Sequence, residues 1–473
     1  MDELSKVLNE DSQDKRLVRD AFYGSGGFAD GSYLMRYDRE TAENYSTRKN
    51  LAYYFNYTKP MVEGAVDPVF REYPTRTTDV KDARWDAFLL DVDGMGTAID
   101  DFMASAALDA KLDGSVFIVV DNAIDNAETL ADSLEKRQFP YLYTLNQNEV
   151  IDYVVDRKGK LILFVYRQQY DVVEDDARRT VTEQWTWTVD KWKCIKEGVE
   201  TEGVNAIGVI PVVPLVGAKV EKWKRNSLKP QSDFLQIAKT NRAIYNACSE
   251  LRQRNRSQAF SMLTYPVPDE ENPANYSALV AGHSNALLYK GSTPPSWITP
   301  DQAPSDMLKN EIDMLVEGIY RMAERASVTG VQAQTSGIAK EWDNLARMQS
   351  IAAFSKVCQD AEHKIADIFG LYIGKDLDAT ITYSADFGIV DKTAELNAIT
   401  AALDLAIGGK FDVEVKKKAA RLMLKELDDD VIQQIVEDIE KRGEDADYSD
   451  ADDDDMDDIN NNPIGFGVGF GEQ

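Results

Sequence analysis

Two long helical patterns, separated by a short polar segment, occupy residues 304–373 and constrain this chain more than any other feature. The first begins at Pro304, and its apolar residues recur at intervals of four and three, as one face of a helix requires: Leu308, Ile312, Leu315, Ile319 and Met322. The second ends near Gly370, and its apolar positions are Trp342, Leu345, Met348, Ala352, Val357, Ala361, Ile365 and Ile368. The sequence therefore predicts two helices, over 304–326 and 338–373.

The segment between these helices, 327–337, is polar and contains two glycines that can act as hinges. It has no apolar run to bury, and loops held by rigid elements often carry function. We predict a mobile functional loop made of Thr329, Gly330, Val331, Gln332, Ala333, Gln334, Thr335 and Ser336. An ordinary helical hairpin with a solvated tip is the alternative.

The charge of the chain limits its partners. It has 473 residues, enough for two to four domains, and a formal net charge of −29. A nucleic acid that is tightly wrapped needs lysine and arginine to neutralise its phosphates, so this charge argues against such binding. It does not argue against a surface past which a nucleic acid slides.

Metal, cofactor and enzyme motifs are missing from the sequence. The three cysteines are far apart, and His283 and His363 are separated by 80 positions, so we expect no disulfide framework, metal site or cofactor. Walker, nucleophile-elbow, kinase and zinc motifs are also missing, and we predict that the chain is not an enzyme. The first residues do not resemble a signal peptide, and no apolar run has transmembrane length, so we expect a soluble intracellular protein without a membrane partner.

The N-terminal third has weaker patterns. Residues 1–40 are polar with a glycine-rich patch at 24–27, which we predict to be a flexible arm rather than a phosphate cradle, because no strand precedes it and no Gly-Lys-Ser/Thr follows. Helical patterns follow over 41–70, interrupted at Pro60, and over 84–111. Asp91, Asp93 and Gly94 have the wrong spacing for a calcium loop, and we expect capping or solvated roles for the acids.

Residues 139–217 form a β module by pattern, after a buried strand at 114–120. Strand-like runs occupy 141–144, 150–155, 161–166, 181–189 and 207–216, with charged turns between them, and this predicts an antiparallel arrangement. Trp185 and Trp187 lie on one face of their strand, since side chains alternate. A core or subunit contact is expected for them, with a base-stacking platform as the alternative.

One basic region interrupts the acidic chain between residues 219 and 256, and a helical pattern covers 231–262. The candidate basic residues on that helix are Lys239, Arg242, Arg252, Arg254 and Arg256. A solvated face or pairing with nearby acids is one interpretation, and contact with nucleic acid is the other.

Short strand-like pieces rich in proline and glycine occupy 264–303, between the two long helices. After residue 373 the patterns predict a strand at 379–383 and helices at 391–407, 411–425 and 428–441. The last segment, 444–473, contains an acidic run and a Gly-Phe peptide, and we predict an acidic disordered tail or a docking peptide there.

The order of these pieces is the main identifying feature. Stretches within it are Tyr-Phe-Asn-Tyr-Thr-Lys-Pro-Met-Val-Glu (54–63), Asp-Val-Asp-Gly-Met-Gly (91–96), Leu-Asp-Gly-Ser-Val-Phe-Ile-Val-Val-Asp (112–121), Phe-Pro-Tyr-Leu (139–142) and Ser-Asp-Phe-Leu-Gln-Ile-Ala-Lys-Thr-Asn (232–241). Together, over about residues 40–430, they resemble the portal (connector) proteins of tailed double-stranded DNA bacteriophages. The acidic run and Gly-Phe peptide match no feature of that family.

The resemblance implies an α+β portal-type fold with an α/β wing, a two-helix stem, a small clip insert, a long wing helix and a helical C-terminal crown. By position, the wing is 1–220, the first stem helix with its basic segment 221–263, the clip 264–303 and the second stem helix 304–326. The tunnel loop is then 327–337, the long wing helix and strand 338–390, the crown 391–443 and the tail 444–473.

The resemblance also implies a function and partners. The chain is expected to form a ring of twelve copies at one capsid vertex of the virion, assembled in the host cytoplasm, through which double-stranded DNA passes without sequence specificity. Expected partners are the terminase large subunit, head-tail adaptor proteins, and the major capsid and scaffolding proteins. The alternative is a soluble cytoplasmic ligand-binding or regulatory protein with the β module as its ligand-binding domain.

Overall fold

The computed structural model describes residues 2–122, 129–174, 177–220, 228–257, 262–267, 286–291, 293–298, 301–323, 337–387, 392–405, 407, 409–424 and 429–449. These residues form two compact units, Met1–Phe387 and Gly388–Gln473. Helices and strands both occur in the first unit, which confirms the predicted α+β class. Among the described helices, none combines the length and the apolar character that a bilayer crossing needs.

Helices occur throughout the described sequence of the first unit. They are α1 (Asp2–Tyr23), α2 (Ala42–Leu51), α3 (Thr58–Val66), α4 (Ala83–Leu90), α5 (Ile99–Asp113), α6 (Leu130–Glu135), α7 (Leu235–Ser257), α8 (Ala303–Met322) and α9 (Gly337–Ile373). Short 3-10 turns occupy Gly26–Phe28 and Asp67–Phe70. The predicted long helices at 304 and 338 are thus confirmed, although α8 ends at Met322.

The strands of this unit form four small sheets. They are β1 (Thr75–Thr78), β2 (Ser115–Asn122), β3 (Pro140–Asn146), β4 (Val150–Val155), β5 (Leu161–Glu174), β6 (Ala177–Thr188), β7 (Lys191–Lys196), β8 (Val199–Val204), β9 (Val212–Val216), β10 (Met262–Val267), β11 (Ala286–Lys290), β12 (Ser296–Ile298) and β13 (Ala379–Thr382). The sheet orders are β3-β2-β9, β4-β5-β6-β7-β8, β11-β10-β12 and β1-β13. Only β10 and β11 pair in parallel among the described strands.

Strand β2 is buried on both faces, which explains its continuous apolar run. Val116, Ile118 and Val120 belong to a core shared with α5 and α9. Phe117 and Val119 point the other way, into a core shared with the five-stranded sheet. A third core joins α1, α3, α7 and α8. The position of β2 between two cores makes it the centre of the α/β body.

The N-terminal segment is a packed helix, so the predicted flexible arm at its glycine patch is wrong. Helix α1 buries Leu17, Val18 and Phe22 against α3 and α7. A Cβ on Gly27 would lie 2.4 Å from the ring of Tyr33, so this glycine permits a close approach of backbone and ring. The few apolar residues of α1 are enough to pack it against α3 and α7, because they share one helix face.

The helix predicted over 84–111 is two helices, α4 and α5, with a loop at residues 91–98. The Asp91 carboxylate accepts hydrogen bonds from the backbone N–H groups of Gly94 and Gly96, at 2.8 and 2.9 Å, and pairs with Arg137 at 2.9 Å. Gly94 and Gly96 have positive φ, which a continuing helix does not allow. The acids therefore organise a turn, in agreement with the local role expected for them.

Other boundaries also differ from the prediction. Pro60 lies inside the first turn of α3, where its missing N–H costs little, and the break falls at residues 52–57 instead. Strands β7 and β8 were not predicted, and the strand predicted over 207–216 begins only at Val212. Strand β8 has no buried residue, so its sequence lacks the alternation of apolar and polar residues that predicts a strand.

The second unit consists of three described helices, α10 (Lys392–Asp404), α11 (Gly409–Met423) and α12 (Asp429–Ser449). All three were predicted. Helix α12 continues five residues beyond 444, so the acidic segment predicted as disordered begins as helix, and residues 450–473 lie outside the described part. Lys417 on α11 pairs with Glu414 at 2.9 Å and with Glu440 on α12, which ties these two helices together.

Candidate functional site

Helices α7 and α8 form an antiparallel pair that is anchored to the body at one end. The start of α7 and the end of α8 are buried in the core with α1 and α3, through Leu235 and Ile319 for example. At the other end the Ser305 hydroxyl donates to Asn255 at 3.3 Å, and both residues are near the three-stranded sheet β11-β10-β12 in sequence. The predicted apolar face of α8 is the one that packs on this core, although Met322 stays 45% exposed.

Asn241 fixes the anchored end of α7. It is fully buried, and its side-chain oxygen accepts from the hydroxyl of Tyr54 at 2.8 Å, the N–H groups of Tyr57 and Thr58 at 3.1 Å, and the hydroxyl of Thr58 at 3.0 Å. Its amide donates to Phe55 O at 2.9 Å. Because Tyr57 is the N-cap of α3 and caps nothing with its own side chain, Asn241 acts as the cap from another helix.

This contact joins two of the stretches that carry the resemblance, 54–63 and 232–241. A third stretch, at 112–121, is fixed in the same way. The Asp113 carboxylate pairs with Arg19 of α1 at 2.7 Å, and Gln147 donates to Asp113 O, Ser115 Oγ and Pro230 O at 2.8–3.0 Å. These sequence stretches therefore build the joint between the α/β body and the helix pair.

The five candidate basic residues of α7 lie mainly on its solvent side, and at least four of them already have partners. Lys239 pairs with Asp14 of α1 at 3.1 Å. The guanidinium of Arg242 lies 5.9 Å from the ring centre of Tyr33, and that of Arg252 lies 5.0 Å from Tyr53. Arg254 is half-buried, and Arg256 is exposed near the distal end. The structure does not bring these five basic side chains together at one point.

The two helices carry opposite charge. Helix α7 contains five basic side chains and one acidic one, while α8 contains four acidic side chains and two basic ones. On α8, Met307 and Met314 are 72% and 63% exposed. Glu311 and Asp313 are also exposed on this helix. This face was not predicted, although the two methionines are seven residues apart, on the side of α8 opposite its buried residues, and this spacing is visible in the sequence.

The predicted tunnel-loop residues, Thr329 to Ser336, lie outside the described residues. The structure does describe the base on which the loop begins. Next to Met322 and Ala323 is a cavity of about 240 Å³ lined by three basic residues, one acid and mostly apolar side chains, the charged ones being Lys111, Lys219, Arg347 and Asp233. Burial lowers the pKa of Lys111, and its ammonium group donates to Gly217 O at 2.6 Å.

No cluster of three or more metal-ligating side chains occurs among the described residues. Glu362 and His363, which are adjacent on α9, have structural partners. Glu362 is fully buried, pairs with Arg76 and accepts from the Tyr383 hydroxyl at 2.6 Å. The Nε2 atom of His363 accepts from Ile381 N–H at 3.1 Å, which leaves Nδ1 to donate to Gln359 O at 3.0 Å. Both residues tie α9 to strand β13.

Comparisons with known proteins give similarity to chains of gene transfer agent (GTA) particles. A chain from the neck of an empty GTA particle computed with C6 symmetry is 11% identical, with a TM-score of 0.42, covering 73% of this chain and 86% of that chain. A chain from the virion of a native GTA particle is 13% identical, with a TM-score of 0.42 and coverages of 82% and 97%. A chain from the neck of a native GTA particle computed with C12 symmetry is 12% identical, with a TM-score of 0.41 and coverages of 76% and 89%.

No family model and no curated protein matches the chain. The three chains are 11–13% identical to this one, and all three TM-scores are below 0.5.

Proposed function

We propose that this chain is a portal-type subunit that assembles into a closed ring through which double-stranded DNA enters and leaves a phage-like capsid. The observation that carries the proposal is the α7/α8 pair, which is anchored to the α/β body at one end by Asn241 and Ile319 and carries a small three-stranded sheet between its helices in the chain. In this proposal the pair is the stem of the subunit.

The remaining parts follow from this assignment. The body up to residue 220 is the wing, together with 338–390, and 264–303 is the clip that docks the terminase motor and later the head-tail adaptors. Residues 327–337 are the tunnel loop, and 391–443 are the crown. The ring sits at one vertex of the virion after assembly in the host cytoplasm, with capsid and scaffolding proteins as further partners.

The charges of the helix pair support a ring. A closed ring needs two different surfaces of one subunit that fit each other. The basic side of α7 and the acidic side of α8 supply such a complementary pair, because α7 of one copy can face α8 of the next. The exposed Met307 and Met314 on α8 add apolar area to that contact.

The net charge suits a conduit. Twelve copies carry a formal charge of about −350. An acidic channel wall repels DNA phosphates, so that DNA passes without being held. No catalytic role is assigned to the chain, and the energy for movement comes from a separate motor ATPase.

Mass photometry and negative-stain electron microscopy of the purified chain test the ring. We expect particles many times heavier than the 53.0 kDa chain, with a central opening. A stable 53 kDa monomer would contradict the proposal and favour a soluble ligand-binding protein instead.

Two variants test the parts of the subunit. Deletion of residues 329–336 should leave rings intact and impair DNA packaging or retention, and full packaging by this variant would exclude a role for the loop. Substitution Arg256→Glu should change packaging without loss of rings if this residue faces the channel. Loss of rings would place Arg256 at a subunit contact, and Lys158→Glu, in the exposed turn between β4 and β5, is the control for reversal of a surface charge.

A further inference from the structure

The two sheets of the β module pack together at one end and leave an open cavity at the other. Three successive side-chain layers lie between them, each with two residues from β2 and β3 and two from β5 and β6. The first layer contains Phe117, Leu145, Phe164 and Trp187, and all four are buried. This layer closes the inner end of the space between the sheets.

The second layer is aromatic and partly polar. Here Val119 lies opposite Tyr143 on one sheet, and Tyr166 lies opposite Trp185 on the other. The hydroxyls of Tyr143 and Tyr166 are 2.8 Å apart, which joins the two sheets across the gap. Burial raises the pKa of both phenols, so neither carries charge at neutral pH.

The third layer contains two carboxylates. Asp121 lies opposite Tyr141 on β2 and β3, and Gln168 lies opposite Glu183 on β5 and β6. These four residues, with side chains of the second layer, line a cavity of about 320 Å³ that opens to solvent. Among the described residues that line this cavity, none is a lysine or an arginine.

The two carboxylates differ in their partners. Glu183 pairs with Lys196 at 2.9 Å and accepts from Trp185 Nε1 at 3.3 Å, so its charge is already balanced. Asp121 accepts from the Tyr141 hydroxyl at 2.9 Å and from Asn122 N–H at 2.8 Å. Among the described residues, no cation pairs with it, and burial raises its pKa.

We propose that this cavity binds an organic cation, namely the guanidinium or primary ammonium group of an arginine or lysine side chain on a partner protein. Asp121 forms the ion pair, while Tyr141, Tyr143 and Trp185 offer aromatic rings to the cation and its methylene groups. A cation that enters completes the hydrogen bonds of a carboxylate that has no charged partner in this part of the chain. An anion is excluded by the same two carboxylates.

The sequence of β2 indicates that this cavity is a binding site and not an imperfectly packed part of the hydrophobic core. Strand β2 is apolar from Val116 to Val120 and changes to aspartate where the cavity begins. The ring planes of Trp185 and Trp187 are nearly parallel, 13° apart with centres separated by 6.2 Å, so packing against Trp187 holds the Trp185 indole in place at the cavity. The net charge of −29 also raises the local concentration of cations.

Isothermal titration calorimetry on the full chain tests the proposal with four cationic probes: N-acetylarginine amide, N-acetyllysine amide, putrescine and spermidine. The neutral isostere N-acetylcitrulline amide is the ligand control. We expect the cations to bind at least about tenfold more tightly than the citrulline compound, since charge-assisted hydrogen bonds contribute at this level. Tighter binding of the amides supports a protein side chain as the source, and tighter binding of putrescine or spermidine assigns it to a free amine.

Variants distinguish the site from general attraction to an acidic protein. Asp121→Asn should weaken binding about tenfold or more, whereas Asp190→Asn, an exposed carboxylate in the turn between β6 and β7, should change it less than about twofold. Trp185→Phe, which keeps an aromatic ring of smaller size, should weaken binding of the cations severalfold. This variant tests the site if Asp121→Asn does not fold. Equal binding of the citrulline compound, no binding at all, or unchanged affinity in Asp121→Asn would overturn the proposal, and none of these outcomes bears on ring formation.

Discussion

Substitution of Asn241 by alanine tests whether one buried amide anchors the helix pair. The substitution removes five hydrogen bonds and leaves the Thr58 N–H, at the start of α3, without its acceptor, whereas the Tyr57 N–H keeps Phe55 O at 3.1 Å. A buried group left unsatisfied costs about 1–3 kcal/mol, and a lost hydrogen bond whose groups keep another partner costs about 0.5–1.5 kcal/mol, so the Thr58 N–H is the largest single contribution to the loss. After about 0.5 kcal/mol regained from the helix propensity of alanine, we expect a net loss of about 3 kcal/mol.

Hydrogen exchange measured by mass spectrometry gives this loss locally. A cost of about 3 kcal/mol corresponds to more than 100-fold faster exchange of amides at the start of α3 and in the first half of α7. Protein concentration must be equal in all samples, because assembly adds stability. Exchange within threefold of the original chain would refute the capping role of Asn241.

Two further variants separate capping from side-chain removal. Asn241→Asp keeps the acceptor at the positive end of α3 and loses only the donor to Phe55 O, so we expect less than half of the effect of alanine. Gln236→Ala, an exposed position on the same helix, should change exchange by less than about 0.5 kcal/mol. An aspartate variant as damaged as the alanine variant would show that the donor, and not the cap, is the main contribution.

Three other predictions concern stability and reactivity. Arg76→Met should destabilise the first unit by about 3–5 kcal/mol in urea unfolding, because it leaves the buried Glu362 without a cation, and adding Glu362→Gln should recover part of the loss; a cost below about 1 kcal/mol would contradict this. Cys194, Cys248 and Cys358 are all buried, and burial raises the pKa of Cys358 to about 12, so a thiol reagent at pH 8 should modify none rapidly in the folded chain and all three in denaturant. Burial raises the pKa of Asp121 in the folded chain above its value in the unfolded chain. The protonated carboxyl group therefore stabilises the fold fully at pH values below the unfolded pKa, and this contribution is lost as the pH rises towards the folded pKa. Asp121→Asn should therefore raise the melting temperature at pH 7, with a gain that disappears near pH 3, and a pH-independent gain would exclude this cause.

Local patterns predicted most helices and the first strands of the β module. The apolar spacing around Ile312 and Ile319, and the β-branched run before Asp121, are properties of neighbouring residues, so the sequence displays them directly. The stacked faces of Trp185 and Trp187 follow equally from alternation within one strand. The predicted basic residues of α7 were correctly placed on a helix, but their partners, such as Asp14 for Lys239, were not predictable.

Contacts between distant parts of the chain decided the rest. Asn241 meets Thr58 across 183 positions, and the cavity at Asp121 is lined by residues of two separate sheets. An aspartate after a buried strand, or an asparagine inside a helix, has the same local pattern whether it is solvated or buried. Periodicity records which face of an element is apolar, whereas the partner that covers this face, and the polar groups trapped there, depend on how the elements pack.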